Sequence, residues 1–354
     1  MKIAKPFLIF ALAILPTPRQ AKAQASPISG PIAIVELKGK WHFINPKGEN
    51  IFDREFDGAG MFSHGLAPVK IDRKWGYIDE YGKTVIPPQF DAAAEFSDGL
   101  AMVTIGSHDG FIRESGAIAI SPHFDHAWSF SSHLALVEID GKRGYINRAG
   151  EMVIEPQFDM ALPFSEGLAY AQRAGKKEII DTTGKIINKV SIDEGVGQFS
   201  EGLAPVQVGK KWGFIDTKGA LAIPPKFDYA LGFSEGLAFV GKDQHYGFID
   251  HTGTIVIGPR YSVSLGCDGW KFSEGLTVVQ IEGRCAFIDR TDTIVIQTKF
   301  DPLTMIGFFS QGLAEIRTAD DKCGYIDKSG EIAITPKFDF VTDFSLPSNP
   351  SRPD

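Results

Sequence analysis

From Leu66 the apolar positions alternate with their neighbours, and Ala67, Val69 and Ile71 fall on one face. That is the period-two pattern of a strand. Lys74 to Asp79 is a second short run, rich in aromatic and branched residues, and Thr84-Val85-Ile86 is a third. Pro87-Pro88 ends the third, because proline cannot donate to a ladder. Between the second and third runs lies Asp79-Glu80-Tyr81-Gly82. Asp first and Gly fourth is the composition of a type I turn, with the Asp side chain bonding back to the backbone. Ser63-His64-Gly65 reads as a second turn of that kind, its glycine free to take a positive φ. The connector, Phe90 to Phe96, has neither the length nor the period of a stable helix. The pattern predicts a three-stranded meander plus a connector, and an all-β chain.

The same pattern recurs. The pentad F-S-x-G-L begins at Phe62, Phe96, Phe130, Phe164, Phe199, Phe233, Phe272 and Phe309, at spacings of 34, 34, 34, 35, 34, 39 and 37. A worn copy stands at Ile28, and another starts at Phe344-Ser345-Leu346 and stops at Pro347. Tyr77-Ile78-Asp79 returns as Phe214-Ile215-Asp216, Phe248-Ile249-Asp250, Phe287-Ile288-Asp289 and Tyr325-Ile326-Asp327. A Phe-Asp pair keeps the same phase at Phe56, Phe90, Phe124, Phe158, Phe227, Phe300 and Phe338. The expected organisation is a leader over 1–25, a repeat array over 26–345 and a disordered tail over 346–354. The nine units run over 28–61, 62–95, 96–129, 130–163, 164–198, 199–232, 233–271, 272–308 and 309–343.

The order K-W-G-[YF]-I-D-x-x-G, then V-I-P-P-x-F-D, then F-S-x-G-L-A resembles the WG (KWG) repeat family, over roughly Ile28 to Phe344. Lys74-Trp75-Gly76 and Lys211-Trp212-Gly213 carry it best. Elsewhere the Trp column reads Trp41, Asp109, Arg143, Lys177, Tyr246, Cys285 and Cys323. The resemblance implies a bacterial repeat protein and assigns no activity, since such repeats occur in proteins of largely unknown role.

One meander cannot bury its apolar face alone, so neighbouring units must stack. The Phe of F-D, the Phe and Leu of the pentad and the Ile of Y-I-D are the expected core. An open solenoid or superhelix of stacked units is the favoured arrangement, with a closed propeller as the alternative. Propellers usually have about 4–8 blades of four strands, which nine copies of three strands fit less well.

The first 25 residues read as a secretory signal: Lys2 and Lys5, an apolar run from Phe7 to Leu15, then Pro16, Pro18 and small residues around Ala23 and Ala25. Cleavage is expected near Gln24 or Ser26, which makes the mature protein secreted or periplasmic, with no membrane span left. Losing Lys2, Lys5, Arg19 and Lys22 takes the formal charge from −8 to −12. An acidic surface with scattered bases argues against nucleic acid, which needs a positive footprint. Export permits disulfides. Cys285 and Cys323 share the Trp column of consecutive units. They would bond if the units pair directly and stay apart in a propeller, and Cys267 is left free.

Little in the chain signals chemistry. The recurring aspartates of the Y-I-D and F-D motifs could be read as a calcium ladder, but turn capping explains them better. His123, His126 and His133 match no metal-ligand spacing. There is no G-x-S-x-G, H-E-x-x-H or P-loop. No catalytic residue, metal ligand or cofactor is expected. The candidate contact residues are Trp41, Trp75, Trp212, Tyr246 and Trp270, flat aromatic surfaces suited to recognition. Trp270 lies in an insert, Ser262 to Trp270, and inserts in repeat proteins map to loops. The expected function is an exported, monomeric, non-enzymatic binding or scaffold surface for protein or cell-envelope polysaccharide. A glycan hydrolase or lyase on a β scaffold is the alternative.

Overall fold

A computed structural model describes residues 27–193, 195–262, 267, 270–300 and 304–347. The leader expected over 1–25 lies outside the described residues, as does the tail beyond Pro347.

The described residues are all-β and form nine sheets of three or four antiparallel strands, the blades of a closed propeller. The favoured open array is therefore corrected to its alternative. Blades are numbered from the sheet containing Ala33–Leu37. The second blade is typical: Gly58–Ala59, Leu66–Ile71, Lys74–Asp79 and Thr84–Phe90, paired in that order. The three-strand meander is as expected, but its third strand runs on through Pro87-Pro88 to Phe90, because it is the edge strand of the sheet and proline is tolerated at an edge. The fourth strand comes from the connector, which carries the short first strand of the following sheet; Ala92–Ala93, for example, belongs to the third blade.

Closure uses both chain ends. Phe340–Val341 pairs with Ala33–Leu37, in the register Val35 with Val341 and Glu36 with Phe340. Ile32 and Ser345 exchange two backbone hydrogen bonds of 2.9 Å. The worn pentad at Ile28 and the truncated one at Phe344 are thus two parts of one blade. A core cluster packs Ala33, Val35 and Ile44 of the first blade against Tyr325, Ile334 and Phe338 of the ninth. It has the same form as the cluster between the second and third blades, where Tyr77, Ile86 and Phe90 meet Phe96, Val103 and Ile112. Nine such clusters fill the nine interfaces. The expected core residues are in them: Phe90, Phe96, Leu100 and Ile112 are all buried.

The pentad supplies a second, polar seam. Ser63 and Leu66 exchange two backbone hydrogen bonds, and His64 and Gly65 have φ of 55° and 75°. This is a two-residue type I′ hairpin rather than the type I turn expected, because I′ matches the right-handed strand twist. The serine hydroxyl then donates to the carbonyl of the next blade's pentad Phe. Eight successive bonds of this kind, from Ser63 to Phe96 through Ser310 to Phe344, measure 2.6–2.9 Å.

The F-D aspartate is a third seam. Asp91 accepts from Lys74 Nζ of the preceding blade at 2.5 Å and from the Gly106 amide of the following one at 2.9 Å. Asp339 repeats this clasp across the closure, accepting from Lys322 Nζ and the Lys38 amide at 2.5 and 2.6 Å.

The W-G pair has a steric meaning. A Cβ on Gly144 would lie 2.5 Å from the Ile154 carbonyl oxygen, and one on Gly324 the same distance from that of Ile334. Only glycine lets the outer strand close in. In the six blades with glycine there, the outer strand is seven residues long. With Ala286 in that column it has four residues, Ile294–Gln297. With His42 or Glu178 the described residues form only isolated bridges at that edge.

Candidate functional site: an aromatic cavity on the axis

The two positions before each F-S pair are Gly197-Gln198, Leu231-Gly232, Trp270-Lys271 and Gly307-Phe308 in the sixth to ninth blades. Residues of all four pairs line one cavity of about 1010 Å³. A single cavity can touch four successive blades only where they converge, so this column faces the propeller axis.

Strand geometry sets the cavity walls. Trp212 sits on Lys211–Asp216 of the sixth blade. Its indole covers Gly195, where a Cβ would be 2.9 Å from Cη2. Tyr229 opens the first strand of the seventh blade, Tyr229–Ser234, and meets Trp212 edge-on at 6.3 Å. Phe308 comes from Met305–Ser310 of the ninth blade, and Lys271 Nζ lies 4.7 Å from its ring centre. That is cation–π distance. Asp343 holds the equivalent column position in the first blade. Burial raises its carboxyl above the ordinary value, and the charge of Lys271 works against that rise. The cavity is thus apolar and aromatic, with a cation at its edge.

Of the five expected contact residues, the structure brings Trp212 and Trp270 into this one cavity. Tyr246 stands one ring behind: it stacks on Phe239 at 5.1 Å, and Phe239 meets Trp270 edge-on at 5.2 Å. Trp41 and Trp75 are placed elsewhere. Trp41 packs on Phe340 in the closing blade at 5.5 Å. Trp75 lies over Gly58, 3.1 Å from where a Cβ would be. Both are partly buried packing groups. Sequence reasoning missed Tyr229, Leu231, Lys271 and Phe308. The signal was available in the column before F-S, where Ala94-Glu95 and Leu162-Pro163 give way to Trp270-Lys271 and Gly307-Phe308.

The cysteines correct the expected pairing. Cys267 of the insert is bonded to Cys285, with Cα atoms 5.5 Å apart, and Cys323 is a buried free thiol. Cys285 faces the interface of the eighth and ninth blades, and Cys323 faces that of the ninth and first. A whole sheet separates them. The bond ties Cys267 to the strand Arg284–Asp289 of the eighth blade.

The repeated Y-I-D aspartates cap turns. Asp79 Oδ1 accepts from the amides of Tyr81 and Lys83 at 3.0 and 2.9 Å. His123 bonds the Ser121 carbonyl, and His133 faces Asp98 at 3.5 Å, so the three histidines do not converge. Among the described residues no group of three or more His, Cys, Asp or Glu side chains is placed to hold a metal ion.

A crystal structure of the eukaryotic initiation factor is similar over 90% of this chain and 98% of that one, with a TM-score of 0.63 and 9% identity. At that identity the likeness concerns fold alone. AztD of Citrobacter koseri matches over 91% of this chain and 99% of its own, at 12% identity and a TM-score of 0.45. BamB from Moraxella catarrhalis matches over 76% and 98%, at 13% identity and a TM-score of 0.40. No curated protein sequence matches. The repeat described as "WG containing repeat" matches nine times in succession, at residues 43–75, 75–107, 110–142, 144–176, 179–212, 212–244, 246–285, 286–323 and 324–345. Nine matches over nine structural units make this chain a member of the WG repeat family.

Proposed function

We propose that this protein is a binding scaffold that takes a polypeptide segment in its axial cavity. A closed repeat propeller suits a protein-binding scaffold, because its blades hold a shared surface rigid. The observation that carries the reading is the convergence of Trp212, Tyr229, Trp270 and Phe308 from four successive blades around one cavity. Large aromatic side chains give rigid contact area at low entropic cost. Lys271 at the edge favours a segment with an acidic residue beside its apolar anchor. A glycosidase reading needs a pair of carboxylates flanking the bond to be cut. None of the described lining residues is an aspartate or glutamate.

The same proposal places the mature protein outside the cytoplasm, as a monomer. The charged start and apolar run of the first 25 residues and the Cys267–Cys285 bond support that location.

Panning a random peptide library against the full chain tests the binding reading. Peptides with an aromatic or large aliphatic anchor are expected to be enriched, and Trp270→Ala with Phe308→Ala should weaken them at least tenfold. Peptides that bind this variant as tightly, or an oligosaccharide array retained in place of any peptide, would contradict it.

A further inference from the structure

The fifth blade departs from the repeat at the W-G pair itself, where Lys177-Glu178 stands in its place. Glu178 is 7% exposed, and its Oε2 has no hydrogen-bond partner among the described residues. Its Oε1 faces Arg173 Nη2 at 3.8 Å, too far for a hydrogen bond. In six other blades glycine lets the outer strand fill the space beyond this column. Here the side chain holds the chain away. Asn188 replaces part of the missing ladder, accepting from the Ile179 amide and donating to the Val190 carbonyl, each at 3.0 Å. Between blade and displaced chain lies a cavity of about 410 Å³, with Lys176, Glu178, Asn188 and Ser191 in its wall. That volume lies within the range of about 300–1,000 Å³ usual for small-molecule sites.

We propose that this cavity binds a free amino acid, its ammonium on Glu178 and its carboxylate on Lys176. A buried carboxylate oxygen without a donor is costly, and an entering N–H removes that cost. The terminal torsion of glutamate is broad, so the carboxylate turns toward the cavity without leaving its rotamer. The Lys177 ammonium already donates to the Asp193 carbonyl. Lys176 is exposed at the rim and has no ion pair among the described residues. A simple amine in the cavity would meet Lys176, and a simple acid would meet Glu178. A molecule carrying both charges satisfies both walls.

Calorimetric titration of the full chain with L-leucine, L-serine and L-lysine tests this, with 3-methylbutylamine and 4-methylpentanoate as the amine and acid analogues of leucine. At least one amino acid should bind, and the one that binds should do so tenfold or more tightly than either analogue. Glu178→Gln keeps the shape and should lose tenfold or more, as should the exposed Lys176→Met, while Trp270→Ala in the axial cavity leaves binding unchanged. Absence of binding by all three amino acids would overturn the proposal. So would equal binding to the Glu178→Gln chain, or an amine or acid analogue that binds as well as the amino acid.

Discussion

At the scale of residues, the W-G pair is a steric device as much as a contact. The tryptophan lies across its own sheet over the segment that leads into it, as Trp75 does over Gly58 and Trp212 over Gly195. The glycine admits the outer strand, and the strand shortens as that residue grows, from seven residues with glycine to four with Ala286. Gly144→Ala should therefore destabilise the protein by about 1–3 kcal/mol, the usual cost of overpacking. The neighbours at 2.5 and 2.7 Å, the Ile154 carbonyl and the Pro156 nitrogen, are backbone and cannot swing away. Denaturant unfolding measures it, and an unchanged midpoint would contradict the steric reading. Trp41 and Trp75 illustrate why contact residues are hard to read from a repeat column. Packing within the sheet and binding on its face both call for a large flat ring, and Trp75 and Trp212 share one column; what separates them is the cavity that opens beside Trp212.

At the scale of elements, strands and turns were legible because the repeat copies the same turn chemistry. The Asp79 cap follows from Asp-x-x-Gly alone. The fourth strand was not legible, since a two-residue strand such as Ala92–Ala93 is too short to show alternation. The F-D aspartates were read as caps, yet they also join neighbouring blades. The hydrogen bond from its lysine holds each of Asp57, Asp91, Asp159, Asp228 and Asp339 below the ordinary carboxyl value of 3.8. A depressed folded-state value contributes stability above the unfolded value, and the contribution is lost as pH falls through the folded one. Thermal stability should decline on acidification below about pH 4. These clasps are exposed, so added salt should weaken them. Asp339→Asn removes the clasp at the closure and should flatten part of that decline. A melting profile identical to that of the unchanged chain between about pH 5 and 3 would remove the clasp from the account.

At the scale of the whole molecule, the repeat count was readable and its closure was not. Nine copies with worn ends look the same in an open array and in a ring until one asks where the ends meet. The pointer was at Ile28 and Phe344, two incomplete pentads whose missing parts complement each other. Closure explains the axial cavity, since only a ring brings four successive blades to one point. It also explains why Cys323 faces the first blade rather than Cys285. Antiparallel partners lie about 4.5–5.5 Å apart at Cα, within disulfide reach. The most direct measurement is therefore a cross-link between Glu36→Cys and Phe340→Cys, neighbours across the closing pair, in a Cys323→Ser background. The ring predicts that the two introduced thiols form a disulfide within one chain after mild oxidation, seen by peptide mapping of monomer. Two introduced thiols that stay free, or bonds found only between chains, would contradict it.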